Sequence, residues 1–136
     1  MARRQAGFVE DSDEDFALFS RVFSDRWELR RWETGEAATE ALARTEAQVA
    51  AYEVFMVDHD LPGMNGVAVI ERIRASSGGD EPLVCMVSGT GRPGISDSAL
   101  AAGADAFFEK PGSVAGLRAL AAQISALVAT RGDSDL

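Results

Sequence analysis

The strongest constraint on this chain is a repeated alternation. Short, unbroken apolar runs take turns with longer stretches whose apolar residues recur every three or four positions. Val54-Phe55-Met56-Val57 and Leu83-Val84-Cys85-Met86-Val87 are apolar without interruption. A strand with one wet face alternates polar and apolar residues, whereas a strand covered on both faces does not. Both runs therefore predict strands inside a sheet flanked by helices on its two sides. Ala6-Gly7-Phe8-Val9 and Ala106-Phe107-Phe108 read as two shorter strands, and Trp27-Glu28-Leu29-Arg30 alternates as an edge strand does.

The segments between these runs carry helical signals. Phe16, Phe19, Val22 and Phe23 form one buried stripe, with Ser12 or Asp13 as the cap. Asp13, Glu14 and Asp15 read as solvated acids favoured by the helix dipole. Gly35 to about Gln48 predicts a second helix. Val67, Ile70 and Ile73 mark a third, and an Ala-rich segment stopped near Gly103 a fourth. Val114, Leu117, Leu120, Ile124, Leu127 and Val128 give the most regular stripe of all. Ser76 to Asp80 reads as a turn, and Leu61–Gly66 and Gly89–Gly94 as loops. Five strand-then-helix units predict an α/β domain around a parallel sheet. The expectation is one domain over residues 1–136, with its core at about 5–130 and a polar tail at 131–136. Only a few residues follow the last helix, so no output domain is expected.

Composition narrows the chemistry. The chain has 22 acidic against 13 basic residues, a net charge of −9. No phosphate-neutralising surplus exists, which argues against nucleic acid and against an anionic membrane surface. No apolar run reaches the roughly 20 residues that a membrane helix needs. The basic start lacks the apolar stretch of a secretory signal, so a cytoplasmic protein is expected. One cysteine, Cys85, excludes an internal disulfide framework and cysteine-based zinc sites, and reads as a small buried hydrophobe. One histidine, His59, excludes a multi-histidine metal site. Carboxylates, hydroxyls and lysine remain.

Those groups are not scattered. The apolar runs end at Glu10-Asp11, at Asp58, at Ser88 and near Lys110. In an open parallel sheet, ligands bind beyond the carboxyl ends of the strands. Three carboxylates, one hydroxyl and one ammonium are thus expected to share a pocket. Close carboxylates repel by about 4 kcal/mol at 4 Å in an effective dielectric near 20. A hard divalent cation and Lys110 are the two agents that would compensate. This is apparatus for receiving a phosphoryl group, with Asp58 as the nucleophile.

The residues also carry a family resemblance over nearly the full length. Phe8-Val9-Glu10-Asp11, Val57-Asp58-His59-Asp60-Leu61-Pro62-Gly63-Met64-Asn65-Gly66, Met86-Val87-Ser88-Gly89, Ala102-Gly103-Ala104-Asp105 and Lys110-Pro111 resemble the receiver domain of two-component response regulators. The resemblance implies a flavodoxin-like doubly wound (βα)5 fold, strand order 2-1-3-4-5, with five helices. It implies Asp58 as phosphoacceptor, Asp11 as a direct Mg2+ (or Mn2+) ligand, Glu10 assisting through water, and the Asp60 backbone carbonyl as a further ligand. Ser88 would bind a phosphoryl oxygen, Lys110 would pair with the phosphoryl group, and Phe107 would take the aromatic switch position. Partners implied are a sensor histidine kinase or histidine phosphotransfer protein and an unidentified downstream protein. A phosphorylation-dependent homodimer is a further partner state. The role implied is a stand-alone phosphorylation switch or phosphorelay intermediate, a phosphoacceptor rather than an enzyme. Glu10, Ser88 and Phe107 stand where the family more often has aspartate, threonine and tyrosine.

Two other readings are weighed. A receiver-fold interaction module that never uses phosphorylation would not need Glu10, Asp11, Asp58, Ser88 and Lys110 intact. Asp58-His59-Asp60 also resembles the Asp-x-Asp of haloacid-dehalogenase-type phosphatases. Those enzymes follow it with a small-hydroxyl pair and place their acidic pair after the lysine. Here Leu61-Pro62 follows and the acidic pair comes first. His59 reads as a bystander, and Trp27 and Trp32 as packing at an edge strand. No Gly-x-Gly-x-x-Gly follows the first strand, so a dinucleotide site has no support.

Overall fold

A computed structural model describes residues 4–43, 51–77, 82–89 and 94–134. The strands are β1 (Gln5–Val9), β2 (Glu28–Trp32), β3 (Tyr52–Asp58), β4 (Leu83–Ser88) and β5 (Ala106–Glu109). The helices are α1 (Asp13–Phe23), α2 (Gly35–Leu42), α3 (Gly66–Ser77), α4 (Ile95–Ala102) and α5 (Val114–Ser134). The strands form one sheet of order β2-β1-β3-β4-β5, and every neighbouring pair is parallel. This is the expected flavodoxin-like fold. The chain order reverses between β1 and β3, so the connections leaving these two strands diverge. A crevice opens there at the carboxyl edge.

Each central strand is apolar on both sides because both sides are covered. Val9, Phe55, Val57, Val84 and Met86 pack with Val69, Ile70, Ile73, Ile95 and Ala99 on the side of α2, α3 and α4. Phe8, Val54, Met56, Cys85 and Val87 pack with Phe19, Phe23, Leu117, Leu120 and Ile124 on the side of α1 and α5. Successive strand residues therefore alternate between two cores.

Local signals set the helix ends. Ser12 caps α1, its hydroxyl accepting from the Asp15 amide at 3.2 Å. Gly103, at φ +116°, ends α4 in the left-handed region that glycine enters most freely. Gly66 opens α3 against the end of β3, where a Cβ would lie 2.5 Å from the Asp58 carbonyl oxygen. Only a residue without a side chain lets that helix start so close to Asp58. No helix among the described residues is long and apolar enough to cross a membrane.

Four boundaries differ from expectation. β2 begins at Glu28 and runs to Trp32. Trp27 stays outside the strand, stacked on Phe23 at 5.5 Å between ring centroids, with its indole N–H donating to Glu53 Oε1 at 2.7 Å. A buried indole needs a partner for that N–H, and Glu53 supplies it. Trp32 lies in the opposite core, against Tyr52 and Phe55. α2 ends at Leu42, and the remaining expected helical residues from 44 onward lie outside the described residues. α3 includes Ser76 and Ser77, which had the look of a turn; residues 78–80 lie outside the described ones. α5 continues through Gly132, Asp133 and Ser134, where a polar tail was expected. Each added residue gains one backbone hydrogen bond, so a helix already nucleated extends without an apolar stripe.

Phe8 is the central ring of an aromatic cluster, 5.7, 5.3 and 5.4 Å from the centroids of Phe16, Phe19 and Phe23. Phe8→Ala is expected to lower unfolding free energy by about 3–5 kcal/mol, the range for deleting a buried phenyl ring. Urea unfolding followed by circular dichroism checks this.

Candidate functional site

Every residue of the expected pocket lies at or just past a carboxyl strand end. Glu10 follows β1, and its amide donates to the Trp32 carbonyl at 3.0 Å. This late rung of the sheet holds the first acid at the edge. Asp58 is the last residue of β3 and Ser88 the last of β4. Lys110 follows β5, and its amide donates to the Ser88 carbonyl at 2.8 Å. β3 and β4 are registered so that Asp58 pairs with Val87, one residue before Ser88. Four sequence-distant segments thus meet through backbone pairing alone.

The side chains converge as well. Carboxylate oxygens of Glu10, Asp11 and Asp58 all lie within 4.8 Å of one another. Glu10 and Asp58 are buried, at 1% and 2% exposure, while Asp11 faces solvent. The Lys110 ammonium sits 2.7 Å from Asp15 Oδ2, 2.8 Å from Glu10 Oε1 and 3.2 Å from Asp58 Oδ2. The Glu10 contact is an ion pair without an aligned hydrogen bond; the other two are hydrogen bonds. Glu10 Oε2 accepts from the Ser12 amide at 3.1 Å, and Asp58 Oδ1 accepts from the Asp60 amide at 3.0 Å. Asp60 therefore belongs to the turn that closes over Asp58. His59 Nδ1 meets Asp60 Oδ1 at 3.0 Å, so the histidine pairs with the next residue. Ser88 is fully buried. Phe107 is half-buried against the core under α2, α3 and α4. Of the expected switch loop, residues 90–93 lie outside the described ones.

Crowding leaves an electrostatic mark. Burial, together with the nearby charge of Asp58, raises the Glu10 carboxyl from 4.5 to about 7 against the opposing pull of Lys110 and the Ser12 amide. Burial also works against the Lys110 charge, but Asp15, Glu10 and Asp58 outweigh it and hold the ammonium well above its ordinary range. One ammonium cannot balance this many carboxylates. An all-oxygen donor set with surplus negative charge suits a hard divalent cation such as Mg2+ or Mn2+.

Two participants escaped the sequence. Asp15, expected as a solvated acid, is instead the nearest partner of Lys110, because the first turn of α1 passes beside the β5–α5 loop. Arg31, near the end of β2, donates from Nε to the Glu10 carbonyl at 2.9 Å and pairs with Asp13 at 2.8 Å. Its guanidinium also lies over the Phe16 ring, 5.1 Å from the centroid. No local pattern joins residues 95 or 21 positions apart; only the fold does.

A raised carboxyl pKa has a definite consequence for stability. Between the unfolded value near 4.5 and the folded value of about 7, the native state binds more protons, so stability falls as pH rises. Without divalent cations, the protein is expected to melt at a lower temperature at pH 8 than at pH 5.5. Glu10→Gln, which keeps the shape and removes the charge, is expected to flatten that dependence. Calorimetry in chelator-treated buffers checks both.

The comparisons with known proteins give the family and the fold. The family model described as response regulator receiver domain matches residues 8–122. No curated protein matches the sequence. Among solved structures, the chain resembles a CheY-like response regulator receiver domain protein from Methanospirillum hungatei JF-1, with a TM-score of 0.82 at 19% identity over 98% of this chain and 99% of that one. It resembles the phosphorylated cyanobacterial phytochrome response regulator RcpA, with a TM-score of 0.78 at 17% identity over 90% and 91%. It also resembles the chemotaxis protein CheY4 of Vibrio cholerae, with a TM-score of 0.71 at 25% identity over 85% and 93%. By sequence model and by fold, the chain belongs to the response regulator receiver domain family.

Proposed function

We propose that this receiver accepts a phosphoryl group on Asp58 from a phosphohistidine donor, in a reaction that depends on Mg2+ or Mn2+. The observation that carries this reading is the Asp58 carboxylate itself. It is buried at the carboxyl edge, with Lys110 at 3.2 Å and the Glu10 and Asp11 carboxylates within 4.8 Å. A buried carboxylate among other carboxylates is costly unless a cation shares the site. That arrangement is understandable in a site meant to gather cation and phosphoryl group together.

Asp11, Asp58 and the Asp60 backbone carbonyl are the residues assigned to hold the cation, with Glu10 in support. When bound, the cation supplies positive charge against the carboxylates and the phosphoryl oxygens. An Asp58 oxygen forms its bond to phosphorus as the phosphorus–nitrogen bond to the donor imidazole breaks. The electron pair of that bond returns to the imidazole nitrogen, which takes a proton from solvent. Lys110 pairs with a phosphoryl oxygen, and the Ser88 hydroxyl donates to another. Such transfer rests on positioning and charge stabilisation more than on covalent help from the protein. The protein is read as a phosphoacceptor and switch, its partners a sensor histidine kinase or histidine phosphotransfer protein and a downstream protein. Phe107, in the strand next to β4, is assigned the aromatic switch position. Its burial is expected to decide the balance of states because it has no hydroxyl to anchor it.

Incubation with acetyl phosphate and Mg2+ is expected to add one phosphoryl mass to the wild-type chain. Asp58→Asn is expected to abolish that gain and leave the fold intact, because it removes the nucleophile at nearly constant volume. Asp11→Asn is expected to weaken Mg2+ binding by calorimetry and to slow the same uptake. Intact mass spectrometry reads the result, and undiminished uptake by the Asp58 variant would overturn the assignment.

A further inference from the structure

We propose that Asp15 is a positioning residue that restrains the Lys110 ammonium, and so slows arrival of a phosphoryl group at Asp58. This rests on the phosphoacceptor reading above. Lys110 is the only lysine in the chain; the other 12 basic residues are arginine. An ammonium offers three donors and no fixed fork, so its position follows its nearest acceptor. That acceptor is not Asp58. Asp15 lies at 2.7 Å and Asp58 at 3.2 Å, the longest of the three carboxylate contacts. Lys110 is thus drawn from the phosphoacceptor towards α1.

Asp15 differs in kind from the other two partners. Glu10 and Asp58 are buried at the sheet edge, where crowding leaves them little freedom. Asp15 comes from the third residue of a helix, its side chain 40% exposed. A cleft of about 20 Å³ opens beside the pair, lined by Asp15, Leu18, Phe19, Lys110, Pro111 and Leu117. That is room for about one water molecule, and with Asp15 40% exposed the Asp15–Lys110 contact is more open than the two contacts at the sheet edge. A phosphoryl group arriving at Asp58 brings anionic oxygens that need the ammonium, and Asp15 competes for it. Asp15 also adds its negative charge to a pocket that an anionic donor must enter.

The same helical turn supplies an internal control. Asp13 carries the same charge two residues away, but its partner is Arg31 at 2.8 Å. Asp15→Asn and Asp13→Asn therefore change net charge alike, and only the first touches Lys110.

Wild type and both variants are compared in three measurements. Phosphoryl uptake from acetyl phosphate with Mg2+ is followed by intact mass. Beryllofluoride binding with Mg2+ is followed by amide NMR. The single side-chain signal of 15N-lysine-labelled protein is recorded without either ligand. Asp15→Asn is expected to speed uptake and tighten beryllofluoride binding about two- to fivefold, the scale of a partly exposed ion pair, and to shift the lysine signal. Asp13→Asn is expected to leave the lysine signal in place and to fall short of that gain. Equal or slower uptake by Asp15→Asn, beside a reactive wild type, overturns the inference and leaves the phosphoacceptor reading standing. Equal acceleration by both variants, or an unmoved lysine signal in Asp15→Asn, also overturns it, because the effect is then not exerted through Lys110. A wild type that takes up no phosphoryl group overturns the phosphoacceptor reading and this inference with it.

Discussion

Everything at the functional edge of this protein depends on one electrostatic arrangement: several carboxylates crowded around a single ammonium. Lys110 touches Glu10, Asp15 and Asp58 at once, and Asp11 lies alongside. The arrangement is not self-sufficient. Burial and the neighbouring charge of Asp58 raise the Glu10 carboxyl to about 7, so its negative charge is carried at a cost. A site in that condition is responsive to whatever positive charge enters it, which is the property the proposed function draws on.

The scaffold keeps this unfavourable cluster in place because it is paired through the backbone. Glu10 is tied to Trp32, Lys110 to Ser88 and His59 to Val87 by main-chain hydrogen bonds beyond or between the strands. Two apolar cores clamp the sheet beneath them, one under α1 and α5 and the other under α2, α3 and α4. Repulsion at the edge therefore works against hydrophobic burial distributed over the whole sheet, not against a mobile loop. Arg31 extends the hold from the outer side. It grips the Glu10 carbonyl and Asp13, so the acidic turn between β1 and α1 is braced from β2 as well as from Lys110.

Much of this was legible in the residues. Unbroken apolar runs such as Val54–Val57 can only be strands covered on both faces or short pieces of buried helix, and their length favours strands. The polar residues ending those runs, Glu10, Asp58, Ser88 and Lys110, follow from the rule that parallel sheets present their carboxyl edges to ligands. What was not legible lies in contacts between elements. Asp15 carries every mark of a helix-dipole acid, and it does sit in the first turn of α1. Its pairing with Lys110 depends on how α1 lies against the β5–α5 loop, which no local pattern encodes. Trp27 shows the same limit in the core. Its alternation with the following residues suits a strand, but stacking on Phe23 and the bond to Glu53 hold it outside β2.

The sequence by itself determined the fold class, the strands, the residues at their ends and the family. These are properties of period, spacing and short motifs, which local sterics and solvation read one segment at a time. Tertiary structure alone decided which carboxylate lies nearest Lys110, that Arg31 braces the acidic turn, and that the two tryptophans belong to opposite cores. It also decided that Glu10 is buried deeply enough to resist ionisation. Distances and burial arise from packing between segments far apart in the chain. A difference of half an ångström in an ion pair is set by that packing and by nothing written in either segment.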